Sequence, residues 1–185
     1  MTSSFKIAVK NLDQDFIKAM QEKYKDAELE ITIKRPSGIQ PLEEETFWNI
    51  IDQLDWEATT DDGILAPAIE HLSSLSIAHI YGFEEILSKK LYHLDQQKFA
   101  AQIGKRSFQA DRYFSVDTFL YARACVVANG KAAYDEVVAI PEAMPKDLTF
   151  EPILYLAAKA YEKKTGKSFL YIPTYSYETY SNEKG

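Results

Sequence analysis

The sequence predicts a mainly α protein, a compact bundle of six to seven helices that carries a small β-sheet. Apolar residues recur at helical spacing across residues 43–166, which indicates amphipathic helices. Two short runs within residues 5–34 alternate apolar and polar residues instead, as half-buried strands do. A run rich in proline and glycine, RPSGIQP, separates the two patterns and is typical of a connector.

The N-terminal segment, residues 1–35, is predicted to form a β-α-β unit. Its strands are the runs FKIAVKN and ELEITIKR, and a helix capped by Asp13 lies between them. The apolar side of that helix carries Phe16, Ile17, Met20 and Tyr24. Because two strands alone are marginally stable, the unit must dock on another element or gain a third strand, and residues 168–173 are the candidate for that strand.

After a linker at residues 36–42, the helical domain is predicted to span residues 43–166. Its helices are expected at 43–57, 64–72, 76–94, 95–103, 115–130, 131–140 and 149–166. Ser115 and Thr149 are the expected N-caps, and Gly130 and Gly166 are the expected helix ends. The apolar stripe from Phe150 to Tyr161 is expected to be central to the core. Residues 167–185 would form the C-terminal strand and a tyrosine-rich tail.

Negative charge is concentrated in one part of the chain. The whole sequence has a net charge of −7, but residues 36–88 hold eleven acidic residues and no lysine or arginine. Much of the positive charge follows directly, between Lys89 and Lys131. The two blocks could neutralise each other within one fold, or the acidic block could present a face to a basic partner. The overall sign argues against direct binding to nucleic acid.

The composition indicates a soluble globular protein. No run approaches the roughly 18 apolar residues that span a bilayer, and the first residues do not resemble a signal peptide. A single cysteine, Cys125, fits a reducing compartment. We therefore expect a cytoplasmic bacterial protein that does not bind a membrane. The three histidines show no metal-ligand spacing, and no catalytic, metal or cofactor site is predicted.

Trp48 is the centre of the predicted binding face. It flanks the apolar stripe of its helix, and Glu44, Asp52 and Asp55 lie at i−4, i+4 and i+7 on the same flank. An aromatic ring framed by carboxylates can receive a cationic side chain. The alternative is that Trp48 packs under a neighbouring helix while the acids face water.

Arg123 falls in the middle of an apolar stripe formed by Val116, Phe119, Leu120 and Val127. A buried guanidinium needs an anionic partner. Asp111, Asp117, Asp135 and the acidic block at residues 36–88 are the candidates. Either Arg123 forms an internal ion pair that fixes helix packing, or it is the base of an anion-binding pocket with Asp117 and Asp111.

Residues 43–148 resemble a bacterial family known as domain of unknown function 4240. The resemblance is strongest in the run SVDTFLYARACVVANGKAAYDEVVAIPEA. The matching positions are Phe47, Trp48, Leu72, Leu75, Phe83, Tyr92, Ala100, Ser115, Asp117, Phe119, Arg123, Val126, Val127, Gly130, Tyr134 and Pro141. The sequence departs from the family pattern at Val116, where the family often has an acid, and at Gln97 and Cys125, where it has tryptophan.

The resemblance implies a fold but no reaction. Similar segments beside WGR-type modules in larger bacterial proteins suggest an accessory or regulatory role. We therefore expect a non-enzymatic binding or regulatory protein that presents the acidic face around Trp48 to a basic macromolecular partner. The alternatives are an enzyme or small-ligand sensor with an anion pocket based on Arg123, and a purely structural role for the Arg123 ion pair.

Overall fold

The structure is a computed structural model that describes residues 14–25 and 42–182. The chain divides into two units, Met1–Gly38 and Ile39–Gly185. In the first unit, helix α1 spans Gln14–Lys23, which confirms the helix predicted there. The strands predicted at its two sides, and the cap at Asp13, lie outside the described residues.

The second unit is helical throughout its regular structure. Its α-helices are α2 (Glu44–Ile51), α3 (Asp61–Ser74), α4 (Ile77–His93), α5 (Gln97–Ala100), α6 (Val116–Ala128), α7 (Gly130–Ala139) and α8 (Leu156–Thr165). Two 3₁₀ turns, Pro141–Ala143 and Glu151–Tyr155, connect α7 to α8. The prediction of a mainly helical protein is confirmed.

The predicted β-sheet finds no support, because residues 14–25 and 42–182 contain no strand. Residues 168–173 are therefore not a strand, although the alternating pattern that suggested one is present in the exposure of the side chains. From residue 169 to residue 180, half-buried and exposed side chains alternate strictly, as in an extended chain. We call residues 169–182 the C-terminal strap.

Within the described part of the chain, aromatic side chains rather than a hydrogen-bonded ladder connect the strap to the bundle. Tyr171 stacks on Tyr81 of α4, with ring centroids 4.4 Å apart and planes 9° from parallel. Phe169 packs on Tyr161 of α8 at 5.4 Å, and Tyr175 packs on Tyr92 at 5.1 Å. The tyrosine-rich tail thus packs on the body of its own unit.

Helix α4 lies at the centre of the bundle, where it packs against α2, α3, α6 and α8. Ile80, Phe83 and Leu87 are fully buried on it. Helix α6 is buried on nearly all sides rather than along one stripe, whereas Val116 at its start is 41% exposed. A helix that is apolar all round belongs inside a core, and α6 has that position here.

Local sequence signals predicted the helix starts and the helix ends about equally well, and the largest errors are the end of α2 and the start of α8. Ser76 and Ser115 cap α4 and α6, and the Ser115 hydroxyl accepts a hydrogen bond from the Thr118 amide at 3.2 Å. Helix α2 ends six residues before the predicted limit, because the Gln53 and Leu54 amides bond to carbonyls three residues back. Gly166 ends α8 with a φ of 67°, as predicted.

The last helix begins later than predicted, and Thr149 does not cap it. The 3₁₀ turn Glu151–Tyr155, with Pro152 near its start, replaces the first turns of the expected helix. Ile153, Leu156 and Ala157 are nonetheless fully buried, so this segment contributes to the core.

Gly82 allows the chain before α2 to approach α4 closely. A Cβ atom on Gly82 would lie 2.8 Å from the Leu42 Cβ and 3.0 Å from the Leu42 amide nitrogen. Alanine would gain about 1 kcal/mol of helix propensity, but the clash costs about 1–3 kcal/mol. We expect Gly82→Ala to lower the free energy of unfolding in urea denaturation.

Lys89→Ala is the matched control, because Lys89 is exposed on the same helix. We expect it to change stability by less than about 0.5 kcal/mol. A Gly82→Ala protein more stable than the wild type would contradict the close contact with Leu42.

Candidate functional site

Arg123 is completely buried and has an internal anionic partner. Its Nη2 atom lies 3.8 Å from Oδ1 of Asp95, a residue that is itself 5% exposed. Nη1 donates a hydrogen bond to the Leu91 carbonyl at 2.9 Å, and Nη2 donates to the Thr179 hydroxyl at 3.0 Å. The guanidinium carbon lies 4.7 Å from the centroid of the Phe119 ring. The donors of Arg123 therefore point into the protein.

The same cluster fastens the end of the strap. The Thr179 hydroxyl donates to the Val116 carbonyl at 2.8 Å while it accepts from Arg123. Asp95 accepts a hydrogen bond from the Asn182 amide at 3.1 Å. Burial lowers the pKa of Arg123 to about 10, while the nearby carboxylates of Asp95 and Glu178 act in the opposite direction. Arg123 therefore stays cationic at neutral pH.

The partners that the sequence suggested for Arg123 lie elsewhere. Asp111 and Asp117 are exposed, and Asp135 pairs with Lys131 one turn away. The true partner, Asp95, follows the C-terminal end of α4, about 30 residues before Arg123. No spacing rule links two such distant positions. Arg123 lines neither of the two cavities described below, so the predicted anion pocket has no opening at this residue.

Trp48 is also buried rather than presented to solvent. Its side chain is 3% exposed, and its Nε1 atom donates a hydrogen bond to Glu44 at 3.3 Å. The Lys90 ammonium lies 5.4 Å from the Trp48 ring centroid and pairs with Glu44. The hydrogen bond from Lys90 lowers the pKa of Glu44. The cation expected from a partner at this ring is thus supplied by the chain itself.

The other acids of the predicted face are exposed but do not share one flank of a helix. Asp52 caps the end of α2, and Asp55 lies in the loop beyond it, so the i+7 spacing does not align them. Elsewhere the acidic block is partly neutralised by α8, where Lys159 pairs with Asp62 and Lys163 pairs with Glu70. Part of the acidic block is therefore neutralised within the fold, and part of it remains exposed.

A cavity of about 390 Å³ opens between α4, α6, the second 3₁₀ turn, α8 and the strap. Carboxylates from four different elements line it. They are Glu84, Asp117, Glu151 and Glu178. Tyrosine side chains separate them. These are Tyr121, Tyr155, Tyr171 and Tyr177. No lysine, arginine or histidine of the described chain is in the lining. We call this cavity the acidic groove.

Glu84 is the deepest acid of the acidic groove. It is 5% exposed, and no side chain or amide within residues 14–25 and 42–182 donates a hydrogen bond to it. Burial and the neighbouring Glu85 raise the pKa of Glu84 from 4.5 to about 7. A buried carboxylate without a partner is unfavourable. Glu84 is therefore an acid whose ionised form lacks a counter-charge among the described residues.

The other acids of the groove affect the tyrosine hydroxyls beside them. Tyr155 donates a hydrogen bond to Glu151 at 2.6 Å. Burial, with the charges of Glu84 and Glu178, raises the pKa of Tyr177 to about 12. Burial and the charges of Glu151, Asp117 and Glu178 likewise raise the pKa of Tyr121. All four acids therefore act on a small region with negative potential.

A second cavity of about 550 Å³ continues the acidic groove along the surface, because Glu151 and Tyr155 line both. Asp61 and Asp62 add two further carboxylates. Its lining contains one cation, Lys159, which is already paired with Asp62. The two cavities adjoin each other, and their described linings together have an excess of negative charge.

Other chemistry has little support in the described part of the chain. Within it, no group of three His, Cys, Asp or Glu side chains is placed to hold a metal ion. His71, His79 and His93 contact Gln53, Ser76 and Tyr134. Burial raises the pKa of the Cys125 thiol, which disfavours a reactive thiolate. No helix among the described residues has the length and apolar character to cross a membrane.

These features define a helical protein with an anionic, aromatic groove on its surface. The chain belongs to the family described as Protein of unknown function (DUF4240), which matches residues 42–163. The resemblance seen in the sequence is thereby confirmed, and the match extends through most of α8. No curated protein and no solved structure matches the chain. The strap that closes the groove follows the matched segment.

The buried pair of Arg123 and Asp95 gives a prediction for stability. Arg123→Met leaves Asp95 buried without a counter-charge, and Asp95→Asn leaves Arg123 in the same situation. We expect each single change to cost about 3–5 kcal/mol of unfolding free energy. In the double variant neither charge remains, so the loss should be smaller than the sum by about 1–3 kcal/mol in a denaturation cycle. Additive losses would contradict the coupling.

Glu84 gives a prediction for pH dependence. Because the folded protein holds the Glu84 proton more tightly than the unfolded chain, the cost of burying Glu84 grows as pH rises from about 4.5 to about 7. We expect Glu84→Gln to raise the free energy of unfolding at pH 8, by at most roughly 3 kcal/mol, and to change it little at pH 5.

The control for this measurement is Glu45→Gln, which removes the same charge from an exposed position at the start of α2. It should leave stability within about 0.5 kcal/mol at both pH values. A Glu84→Gln protein that is less stable than the wild type at pH 8 would show that ionised Glu84 has a stabilising partner.

Proposed function

We propose that this chain is a non-enzymatic binding or regulatory protein that receives a basic segment of a macromolecular partner in the acidic groove. The observation that carries the proposal is the lining of the groove. Four carboxylates from four elements converge there, one of them is buried without a partner, and no cation of the described chain lies among them. The proposed binding surface is therefore the concave acidic groove. It replaces the face that the sequence predicted around Trp48, Glu44, Asp52 and Asp55.

The size and shape of the groove support a polymeric ligand. A small compound would occupy the cavity of about 390 Å³ and leave the adjoining one of about 550 Å³ empty. A basic polypeptide segment could follow both, with its cations alternately near Glu84, Glu151 and Asp61. The net charge of −7 would also accelerate the approach of a cationic partner.

The tyrosine rings support the same ligand class. Cationic side chains bind to carboxylates and to the faces of aromatic rings, and the groove offers both next to each other. Tyrosine also contributes large contact areas at binding surfaces, since one end of the side chain is apolar and the other is polar. A nucleic acid, in contrast, would place its phosphates against four carboxylates.

The proposal is tested with fluorescein-labelled peptides of eight residues that alternate arginine or lysine with serine. An acidic peptide of equal length is the reference. We expect the basic peptides to bind the full chain in fluorescence anisotropy, and the affinity to fall with rising salt. The triple change Asp117→Asn, Glu151→Gln and Glu178→Gln should weaken binding at least about tenfold.

The matched control removes three charges from the surface around the end of α2. It combines Asp52→Asn, Asp55→Asn and Glu57→Gln, three exposed positions outside the acidic groove. We expect this variant to bind within about twofold of the wild type, since distant exposed charges contribute mainly through screened fields. Equal losses in both variants, or no binding of basic peptides by the wild type, would overturn the proposal.

A further inference from the structure

We infer that the inner end of the acidic groove is a subsite for one arginine side chain, with Glu84 as the carboxylate that receives its guanidinium, an inference that rests on the proposed function. It adds to that function the position, Glu84, and the ligand group, a guanidinium. Three features of the groove carry it: the burial of Glu84, the rings beside it and the charges around it.

The first feature is that Glu84 is buried without a partner. Only 5% of the residue is exposed, and the described chain offers its carboxylate no hydrogen-bond donor. The carboxylate oxygens are still reachable from the cavity, because Nε of Arg123 is the one fully buried polar side-chain atom without a partner among the described residues. Most buried carboxylates in folded proteins are paired. Because Glu84 lines a cavity rather than packed core, the missing partner can enter from outside. A cationic donor is the group that satisfies both its charge and its lone pairs.

The second feature is the aromatic wall, which favours arginine over lysine. Tyr177 lies close enough to Glu84 for the charge of one to affect the pKa of the other, and Tyr155 and Tyr171 continue the wall. A guanidinium is planar, stacks on aromatic faces and donates two parallel hydrogen bonds to one carboxylate. It is also less strongly hydrated than an ammonium group, so its transfer into a buried subsite costs less.

The third feature is the charge of the surroundings. Among the described residues, the charged side chains that line the groove with Glu84 are Asp117 on α6, Glu151 in the 3₁₀ turn and Glu178 on the strap, and all three are acids. The neighbouring Glu85 on α4 is also an acid, and its charge raises the pKa of Glu84. Arg123 does not compensate them in the lining, because it is fully buried and directed at Asp95. The described lining of the subsite thus has an excess of negative charge.

The binding of the guanidinium should depend on pH between 6 and 8. The ionised form of Glu84 binds a cation, and burial raises the pKa of this residue to about 7. Arginine does not titrate in this range. The affinity should therefore fall by about tenfold from pH 8 to pH 6, as the ionised fraction of Glu84 falls. Glu84→Gln should remove this dependence.

The test uses defined small probes and the full chain. Nα-acetyl-arginine amide is titrated into isotope-labelled protein, and backbone and tyrosine NMR shifts report binding. The corresponding citrulline amide is the neutral isostere, and Nα-acetyl-lysine amide is the other cation. We expect the arginine probe to bind at the groove at least about tenfold more tightly than either of the other two. Glu84→Gln should weaken the arginine probe by a similar factor.

Glu45→Gln is the control for the loss of one negative charge, and it should bind the arginine probe like the wild type. If the basic octapeptides bind and depend on Asp117, Glu151 and Glu178, but Glu84→Gln binds them and the arginine probe like the wild type, the subsite is wrong and the proposed function stands. Equal binding of the citrulline or lysine probe also overturns the arginine subsite. If no basic octapeptide binds, the proposed function fails together with the inference.

Discussion

The burial of the Arg123 guanidinium determines how several elements of the second unit are arranged around it. Arg123 lies in a helix that is surrounded by other elements, so its charge must be satisfied inside the protein. Leu91 at the end of α4, Asp95 just beyond it and Thr179 on the strap provide that environment. Because Asp95 also binds Asn182, the group that neutralises Arg123 also holds the chain's last described residues in place.

The acidic groove depends on this arrangement. One wall of the groove is the strap, whose Phe169, Tyr171 and Tyr177 face inward. Among the described residues no ladder of backbone hydrogen bonds joins the strap to the bundle, and the contacts that hold it there are ring stacking at Tyr81 and polar contacts at Glu85, Arg123 and Asp95. The buried ion pair is thus structural for the core and also positions a wall of the proposed binding surface.

The distribution of pairing separates structural charges from the proposed functional ones. Glu44, Asp62 and Glu70 are matched by Lys90, Lys159 and Lys163, and these contacts link helices within the unit. Exposed pairs of this kind contribute little free energy each. The acids of the groove lack such matching cations within the described chain, even though lysines are abundant on neighbouring helices. An unmatched, partly buried set of carboxylates costs stability, and a cationic ligand would offset that cost.

Sequence reasoning predicted what is local and missed what is long-range. Hydroxyl caps, glycine ends and apolar periodicity are set by neighbours in the chain, so the starts of α4 and α6 and the end of α8 were predictable. The strap was predicted as a strand, because its alternation records an extended backbone but not what that backbone packs against. Glu84 and Asp95 were not predicted as site residues, because the groups that surround each of them come from elements far along the chain. For Trp48 the sequence left a binding position and a packed position open, because it could not show that Lys90 reaches the ring.

The central claim is that Glu84 is an unmatched carboxylate in a site built for a cation. The most direct measurement is a pH titration of the Glu84 side-chain carboxyl ¹³C shift, first in the free protein and then saturated with an arginine-containing peptide. The account predicts a pKa of about 7 for Glu84 in the free protein and a lower pKa in the complex, because a bound cation favours the ionised form. A pKa near 4.5 in the free protein, or one that the peptide leaves unchanged, would contradict it.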